Sequence, residues 1–586
     1  MNEERSDNLF NDDRFKGLSL AEIKRDIIAG LTVGIVAIPL GMAFAIASGV
    51  KPEYGIYTTI IAGLLVALFG GSRFQIAGPT GAFIPILLAI VLEYGYEKLL
   101  VAGFLAGIML LLMGIFKFGK LIQFIPRSVT IGFTSGIAVI IFSGQIGNFL
   151  GLEDLEKKQY FHENMIQIAE HITAVNWYSV LTAIIGLFVI IFIPKFFPKV
   201  PVLLVALILP TAVAILFYPA EVETIGTAFG GIPQALPSFQ FPTITWQTIL
   251  ELWQPAFVIA MLGGIESLLS AVVSDGMTGT KHNSNRELIG QGIANMVTPM
   301  FGGIPATGAI ARTATNIKSG AVSPYSGIFH SIFVLIILLL FAPFASNIPL
   351  ASMAPILMVV AYNMSEYKSF THILKLKTGD SLVLVVTFLL TVFVNLTTAV
   401  QIGLLLAMVS FIKRMSEVLQ VEKVIPDKMK ETTTNDPLDT WSSTCPKLSF
   451  YTVGGALFFG AADKFESIIT RSINQRPTVL ILKMKHVSIL DATGAANLDA
   501  LVTDFKSMGG TIIISEANSD VLDMLQASGL LDKIGQQHIF SHSEEAVNYG
   551  LQLIEVNKCS ICSKENRTTC KAFKHSTNTP VSSAEQ

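Results

Sequence analysis

Two ionisable residues stand in segments that otherwise carry no charge. Glu266 lies in a run from Met261 to Ser270, and Arg312 follows a segment rich in glycine and proline. A charge at the centre of a lipid bilayer costs about 2.5–3.5 kcal/mol or more unless it is compensated, so each residue is a candidate functional group. Arg312 could attract an anion, whereas Glu266 would repel one unless Na⁺ or a proton neutralises the carboxylate. Glu266 is therefore a candidate for coupling a cation to an anion, with the Ser270 hydroxyl one helical turn later as a candidate Na⁺ ligand. The alternative is a structural ion pair between Glu266 and Arg312.

A Thr-Gly-Ala triplet occurs twice, at 80–82 and 307–309, each time shortly after a proline. Both surrounding segments are too short and too rich in glycine and proline for plain membrane spans, and proline with threonine is typical of a helix start. Two half-helices that begin near the middle of a bilayer from opposite sides aim their free N–H groups at one point, and this gap favours an anion. Interrupted segments at corresponding positions of two inverted halves indicate a transporter's binding site. The alternative is a pair of re-entrant kinks without a ligand.

The elements that must position these residues are membrane-spanning helices. The chain has 586 residues, of which 51% are apolar and only 14% are charged, whereas an average soluble protein has about a quarter charged residues. A run of about 20 apolar residues can span the hydrocarbon core, and the net charge of −3 argues against a nucleic-acid partner. We predict fourteen spans, two of them short, at 26–47, 54–70, 79–92, 99–116, 127–150, 177–194, 201–218, 255–275, 287–301, 307–317, 323–343, 349–364, 380–395 and 398–418.

The distribution of lysine and arginine predicts the orientation of these spans. Cytoplasmic loops carry an excess of both residues, and the N-terminal segment, which has no signal peptide, is basic near the first span. With that segment inside, the basic residues alternate between loops as the rule requires, and both termini are cytoplasmic. We therefore predict a multi-pass protein of the inner membrane. The loops predicted to be inside hold Arg73, Lys117, Lys120, Lys195, Lys199, Lys281, Arg286, Lys318, Lys368, Lys375 and Lys377, and those outside hold Lys51, Lys98, Lys157 and Lys158.

The composition becomes that of a soluble protein near the C-terminus. We predict a cytoplasmic segment at 1–25, a transmembrane transporter domain at 26–419, a linker at 420–446, an α/β domain at 447–556 and a flexible tail at 557–586. Strands that alternate with helices form a sheet covered by helices. The predicted elements are strands in 448–459, a helix at 463–473, a strand at 478–483, a helix at 491–504, a strand at 511–515 and a helix at 520–528.

The cysteines lie outside the apolar region. Cys559, Cys562 and Cys570 are in the tail. A Cys-x₂-Cys pair can open a zinc site, but the remaining spacing matches no standard pattern, so these cysteines are only a weak zinc candidate and free thiols are the main expectation. We predict no cofactor, apart from Na⁺ as one alternative for the coupling ion. There is no catalytic constellation and no Walker A sequence, so we predict a protein that is not an enzyme.

The sequence resembles the SulP family of anion transporters. The similarity extends over roughly residues 16 to 555, and the stretches 281–292 and 306–313 are similar to a bacterial branch that includes cyanobacterial bicarbonate transporters. The resemblance implies fourteen spans in two inverted repeats of seven, divided into core and gate domains. It also implies a homodimer that works by elevator-like alternating access. The first-span pattern that carries the resemblance consists of Asp26, Ala29, Gly30, Thr32, Val33, Gly34, Pro39, Met42, Ala43, Phe44, Ala45, Gly49, Pro52, Gly55, Ile56 and Tyr57.

The same resemblance implies the site residues. The substrate would lie between the starts of the third and tenth spans, with Phe44 as a wall. In the bicarbonate branch, Na⁺ is bound at the position of Glu266, and this sequence departs from that branch at Ile310, which replaces a threonine. Protons are therefore an alternative to Na⁺. Leu40 stands where many members have a glutamine, which affects specificity. The implied substrate contacts are Phe44, Thr80, Gly81, Ala82, Thr307, Gly308, Ala309 and Arg312, and the implied cation contacts are Glu266, Ser270, Gly308, Ala309 and Ile310.

The C-terminal domain resembles a STAS domain, the module that SulP carriers share with bacterial anti-sigma-factor antagonists. The sequence Asp-Ala-Thr-Gly at 491–494 matches the Asp-x-Ser-Gly signature of the antagonists and places Thr493 where they are phosphorylated. A phosphate there would add about −1.5 to −2 charge at a helix start, and a cytoplasmic regulator could read it. The alternative is that Thr493 only caps the helix.

These observations predict secondary active transport of a small inorganic anion, with sulfate or bicarbonate as the main candidates, by alternating access and coupled to Na⁺ or H⁺. An uncoupled anion channel or exchanger and a C4-dicarboxylate carrier are alternatives within the same architecture. A membrane anion sensor that signals through the STAS domain is an alternative of a different class. The expected partners are the anion, the lipid bilayer and a second copy of the chain.

Overall fold

The structure is a computed structural model. It describes residues 14–16, 19–120, 126–153, 155–197, 200–235, 237–423, 447–461, 465, 469 and 477–554. The chain divides into two compact units, Met1–Ala407 and Met408–Gln586. The cysteines at 559, 562 and 570, the tail at 557–586 and the helix predicted at 463–473 lie outside the described residues, except for two positions of that helix.

Helices make up most of the first unit, and the last of them continues across the boundary. In chain order they are α1 Leu20–Ala47, α2 Pro52–Phe69, α3 Ile84–Tyr94, α4 Tyr96–Ile115, α5 Arg127–Gly144, α6 Ile146–Leu150, α7 Phe161–Glu170, α8 Trp177–Phe196, α9 Val202–Phe217, α10 Ile225–Phe229, α11 Trp246–Thr278, α12 Ser284–Val297, α13 Ile310–Lys318, α14 Tyr325–Ala345, α15 Leu350–Met364, α16 Tyr367–Leu376, α17 Gly379–Phe393 and α18 Leu396–Glu417.

These helices match the predicted spans. Each of the fourteen predicted segments coincides with one helix, apart from 127–150, which coincides with α5 and α6 in succession. The helix ends lie at most nine residues from the predicted ends, and several coincide with them. By length and composition, eight helices among the described residues can cross a membrane, and three shorter apolar helices accompany them. The polytopic helical architecture is therefore confirmed. The count of fourteen spans and their inverted-repeat relation stay predictions.

The helices of the first unit form two groups. The helices α1, α2, α4, α11, α12 and α14 pack on one another and hold α3 and α13, and we call this set the core group. A second set, α5, α8, α9, α15 and α17, is called the gate group. In the core group, a β-carbon on Gly55 of α2 would lie 1.9 Å from the carbonyl oxygen of Gly41 on α1, so only glycine permits this approach. Such close backbone contacts stabilise helix pairs in membranes, where the lipid supplies no hydrophobic driving force.

The helix α11 carries Glu266 to the middle of the core group. It has 33 residues and begins at a capping box in which Thr245 and Thr248 exchange side-chain and backbone hydrogen bonds. Its length is about 50 Å at 1.5 Å per residue, which is more than a bilayer's hydrocarbon thickness. Gly279 ends the helix with a φ of 72°. Glu266 is therefore about 30 Å from the start of the helix, far from both of its ends.

The second unit is an α/β domain built on a five-stranded sheet. The first unit contains two short strands, β1 Ala77–Gly78 and β2 Thr307–Gly308. In the second unit the strand order is β3 Gln420–Lys423, β4 Leu448–Leu457, β5 Val479–Leu490, β6 Thr511–Ser515 and β7 Ile539–Phe540. Strand β3 is antiparallel to β4, and the remaining pairs are parallel. The described helices of this unit are Ala492–Ser507, Ser519–Ala527, Leu530–Ile534 and Ser543–Leu553.

The predicted elements of this domain are confirmed wherever the chain is described, with one correction at its start. The linker predicted from residue 420 is wrong for its first four residues, because Gln420 to Lys423 pair with Tyr451 to Gly454 as an edge strand. A four-residue strand with a single apolar residue, Val421, is too short to stand out by its pattern. The rest of the predicted linker, 424–446, lies outside the described residues.

Candidate anion-binding site

The two interrupted segments meet in a short antiparallel ladder. Strand β1, Ala77–Gly78, pairs with β2, Thr307–Gly308, and Ala77 faces Gly308 in the register. The 3₁₀ helix Gly81–Phe83 follows β1 and leads into α3, while Ala309 is the N-cap of α13. Because the strands are antiparallel, the two helices leave the ladder in opposite directions and their N-termini lie near one another. The structure thus brings together the two triplets that the sequence singled out.

Glu266 contacts the start of the first half-helix. Its Oε2 accepts a hydrogen bond of 2.9 Å from the Thr80 hydroxyl. Both residues are half-buried, so each keeps some surface that the rest of the protein does not cover. The contact joins the middle of α11 to the residue that precedes the 3₁₀ helix.

Arg312 contacts the neighbouring residue of the same half-helix start. It is 2% exposed, and its Nη2 donates a 3.0 Å hydrogen bond to the carbonyl oxygen of Pro79. Its Nη1 has no hydrogen-bond partner among the described residues. The guanidinium carbon lies 5.9 Å from the centroid of the Phe44 ring, within the range of a cation–π interaction. The structural ion pair between Glu266 and Arg312 that the sequence left open is absent among the described contacts, so that alternative is wrong.

Two residues that the sequence analysis missed hold the second half-helix start. The Ser267 hydroxyl accepts from the Gly308 N–H at 3.0 Å and contacts the Thr307 hydroxyl at 2.8 Å. Gln75 donates to the carbonyl oxygen of Ser267 at 3.0 Å. A β-carbon on Gly308 would lie 1.7 Å from the Gln75 Nε2, so any side chain at this position would displace the Gln75 amide. Their polar type, beside Glu266 and in the first Gly- and Pro-rich segment, was the signal that could have identified them.

The hydrogen bonds around the ladder occupy some backbone N–H groups and leave others for a ligand. The Gly308 N–H is bound by Ser267, and the Ala309 N–H donates to the carbonyl oxygen of Ile76 at 2.9 Å. The first N–H groups of α13, which begins at Ile310, and those of the 3₁₀ helix at Gly81 have no intrahelical acceptor. A helix N-terminus of this kind carries about half a positive charge. The arrangement can therefore bind an anion with donors from both half-helices.

The residues expected to contact a cation are more dispersed. The Ser270 hydroxyl donates to the Thr313 hydroxyl at 3.2 Å, and Thr313 also accepts from the Ile76 N–H at 3.1 Å. Ser270 therefore links α11 to α13 by a hydrogen bond between side chains. Ile310 is 42% exposed and offers only carbon atoms from its side chain. Among the described residues, no group of three or more His, Cys, Asp or Glu could hold a metal ion.

The expected walls of the site are buried. Phe44 and Leu40, on consecutive turns of α1, are 5% and 6% exposed. Ala82 and Ala309, which follow the two glycines of the triplets, are also buried. Small residues at these positions let the helix starts approach each other and leave room for a ligand.

In the second unit, Asp491 rather than Thr493 caps the helix Ala492–Ser507. The Asp491 Oδ1 accepts from the Gly494 N–H at 2.7 Å, and its Oδ2 accepts from the Phe459 N–H at 3.1 Å. Thr493 is exposed. The alternative that Thr493 caps the helix is wrong, and its phosphorylation stays a prediction.

A bundle of apolar helices with two opposed half-helices around a polar gap defines a polytopic membrane transporter. Residues 23–387 match the model of the Sulfate permease family, and residues 444–546 match the model of the STAS domain. The chain belongs to the sulfate permease family, a family of anion transporters, and it carries a C-terminal STAS domain. The resemblance seen in the sequence is confirmed.

Two curated relatives are similar over most of the chain. The chain is 52% identical over 534 residues to "Putative sulfate transporter YvdB" of Bacillus subtilis (strain 168), covering 91% of this chain and 98% of the relative. It is 33% identical over 468 residues to "Bicarbonate transporter BicA" of Picosynechococcus sp., covering 75% of this chain and 79% of the relative.

Solved structures have the same fold. The transmembrane domain of a cyanobacterial bicarbonate transporter BicA is similar with a TM-score of 0.59 and 30% identity, over 67% of this chain and 98% of that one. The murine Slc26a9 anion transporter is similar with a TM-score of 0.82 and 19% identity, over 92% and 93% of the two chains. The second likeness shows the fold alone.

Proposed function

We propose that this protein is a secondary active transporter that moves a small inorganic anion, sulfate or bicarbonate, by alternating access and uses Na⁺ or H⁺ as the coupling cation. The observation that carries the proposal is the antiparallel ladder, which aims two helix starts at one gap beside Arg312. Backbone donors from both sides and one guanidinium would surround the anion with positive charge and hydrogen-bond donors.

The contact between Thr80 and Glu266 suggests how a cation is coupled to the anion. While Glu266 is ionised, its carboxylate repels an anion and also occupies the Thr80 hydroxyl as a hydrogen-bond donor. A proton or Na⁺ on the carboxylate removes the repulsion. A proton also turns Glu266 into a donor, so that Thr80 is free to donate to an oxygen of the anion. The cation therefore has to bind for the anion to bind well, and this is the thermodynamic requirement for symport.

Alternating access would consist of a movement of the core group relative to the gate group. The ladder, Arg312, Glu266 and Phe44 all belong to the core group or to the segments it holds, so the complete site would move as one body. The resemblance to the family supports a homodimer in the inner membrane with both termini in the cytoplasm. The STAS domain would then face the cytoplasm, where a regulator could reach Thr493.

The decisive experiment is uptake by the purified full-length protein in proteoliposomes. Radiolabelled sulfate is the main substrate to test, because the 52% identical relative is named a putative sulfate transporter. Labelled bicarbonate is tested in parallel. Inward Na⁺ and pH gradients are imposed separately, with protein-free liposomes as the control. We expect accumulation above the external concentration with one of the two gradients. Equilibration without accumulation would indicate a channel or exchanger, and saturable binding without uptake would indicate a sensor. Uptake of labelled succinate but neither inorganic anion would indicate a dicarboxylate carrier.

A further inference from the structure

The tip of the first half-helix is covered from the gate group by two apolar side chains. A β-carbon built on Gly81 would lie 2.8 Å from the Met364 Sδ and 3.4 Å from the Ile141 Cδ1. Met364 is the last residue of α15, and Ile141 lies in α5. Gly81 follows Thr80 directly, so the residue that hydrogen-bonds Glu266 and the residue that meets the gate group are neighbours in the chain.

The end of α15 is held in place against α5. The Ser135 hydroxyl of α5 donates to the Ser365 carbonyl oxygen at 2.6 Å, one residue after Met364. The Ser365 N–H donates back to the Ala361 carbonyl oxygen at 3.0 Å, which completes the last turn of the helix. The backbone at Met364 is thereby fixed within the gate group.

The two sides of this contact have different chemistry. The core side supplies the polar groups that could bind an anion, namely Thr80, Arg312 and the free N–H groups of the helix starts. The three atoms nearest to a β-carbon on Gly81 are carbon and sulfur atoms of Met364 and Ile141, all from the gate side. The residues that would bind the anion's charge are therefore different from the residues that would limit its size. A substitution at Met364 can change the size of anion that fits without removing a hydrogen-bond donor to the anion.

We propose that Met364 determines which anions fit the site by their size. Its side chain forms the gate-side wall against Gly81 and limits the site to anions as small as sulfate or bicarbonate. This inference rests on the proposed function, because it assigns the anion to the gap beside Thr80 and Gly81. Shortening Met364 opens space beside Gly81 and should admit a larger dianion such as malonate or succinate.

The first test measures binding rather than transport. Purified full-length wild type, Met364→Ala, Met364→Leu and Met358→Ala are titrated with sulfate, malonate and succinate, and the rise in unfolding temperature gives the dissociation constants. Met364→Leu conserves volume. Met358→Ala removes the same atoms from the same helix at a crevice lined by Leu187 and Ile190 instead of Gly81. We expect only Met364→Ala to lower the ratio of the malonate to the sulfate dissociation constant, by about tenfold. An unchanged ratio, or an equal change in Met358→Ala, would overturn the proposal.

A double substitution tests the contact itself. Gly81→Ala places a methyl group 2.8 Å from the Met364 sulfur, so the Met364 side chain has to shift. We expect a measurable loss of sulfate binding, and Gly81→Ala combined with Met364→Ala should restore most of that loss. Additive losses in the double variant would contradict a shared wall. If the wild-type protein binds sulfate but does not accumulate it, the proposed transport is rejected. The proposal that Met364 limits anion size is then still tested by these binding data. Wild type that binds none of the three anions would reject both.

Discussion

The Glu266 carboxylate accepts a hydrogen bond from the Thr80 hydroxyl, while the Arg312 guanidinium, on another helix, binds the carbonyl oxygen of Pro79 one residue earlier. The two charges of the site thus reach adjacent residues of one half-helix start without pairing with each other. An anion bound there would be attracted directly by the Arg312 guanidinium. Glu266 would affect the anion through the hydrogen bond that it accepts from Thr80.

Glu266→Gln should abolish gradient-driven uptake while anion binding persists. The amide has no charge to be compensated, so it neither repels the anion nor binds Na⁺ or a proton as a carboxylate does. We expect gradient-driven uptake to fall to the background of protein-free liposomes. The sulfate dissociation constant should stay within about threefold of the wild-type value, because the loss of repulsion strengthens binding while the altered hydrogen bond to Thr80 weakens it. Glu266→Asp, which keeps the charge, is the matched variant. Full driven uptake by the glutamine variant would remove Glu266 from the coupling mechanism.

Arg312→Gln should weaken anion binding by at least about tenfold, because hydrogen bonds from a charged donor contribute about 1.5–3 kcal/mol. Arg312→Lys should recover only part of this loss, since an ammonium cannot reproduce the planar guanidinium that binds Pro79 and lies near Phe44. Lys318→Gln removes an exposed basic residue at the other end of the same helix and serves as the control. Equal losses in the Lys318 and Arg312 variants would mean that only the overall charge matters.

Gly308→Ala should destabilise the transmembrane unit by at least about 1–3 kcal/mol, because its methyl group would overlap the Gln75 amide inside a packed ladder. Gly276→Ala is the matched substitution, since a β-carbon at Gly276 of α11 meets nothing within 4 Å. Thermal unfolding in detergent, followed by tryptophan fluorescence, compares the two variants. Equal unfolding temperatures for both variants and the wild type would contradict the close packing of Gln75 against Gly308.

Asp491→Ala should destabilise the helix Ala492–Ser507 by about 1 kcal/mol, the usual loss for removing an N-cap side chain. Thr493→Ala should leave the helix unchanged, because Asp491 provides the cap and Thr493 is exposed. Hydrogen exchange of residues 492–500 in the full-length protein measures the local opening. Faster exchange in the Thr493 variant than in the Asp491 variant would reverse the assignment of the cap.

The stability of the STAS domain should depend on pH through Glu516. Burial raises the pKa of this carboxyl, but the hydrogen bonds from Ser543 and Lys483 and the charge of Lys483 outweigh it, so the pKa lies below its ordinary value of 4.5. A group with a lowered pKa in the folded state stabilises that state above the unfolded pKa and loses this contribution as the pH falls through the folded pKa. Glu516→Gln should therefore expose the helix Ser543–Leu553 to hydrogen exchange at pH 7.

The same comparison at acidic pH provides the control. Below the lowered pKa of Glu516 the wild-type carboxyl is protonated, and its exchange should converge with that of Glu516→Gln. A difference in protection that stays constant from pH 7 to a pH below the lowered pKa of Glu516 would show that the effect is due to packing and not to the carboxylate.

Composition and local pattern were sufficient to predict the class of the protein, the helix at each apolar segment and the two interrupted segments. The reason is that a bilayer requires long apolar helices, and that glycine and proline mark the places where such helices break. The strands and the capped helix around Asp491 were readable for the same reason, since their signals lie within a few neighbouring residues.

The partners within the site were decided by tertiary structure. The sequence placed Ser270 beside Glu266 on one helical face, yet Ser270 binds Thr313, and Ser267 holds the second half-helix start instead. The Glu266–Arg312 pair, open on the sequence alone, does not form, because the ladder brings Pro79 and Thr80 between the two helices that carry the charges. The Thr80–Glu266 contact joins residues that are 186 positions apart in the chain, and the Pro79–Arg312 contact joins residues that are 233 positions apart. Such contacts depend on how the helices pack, and no local sequence pattern predicts them.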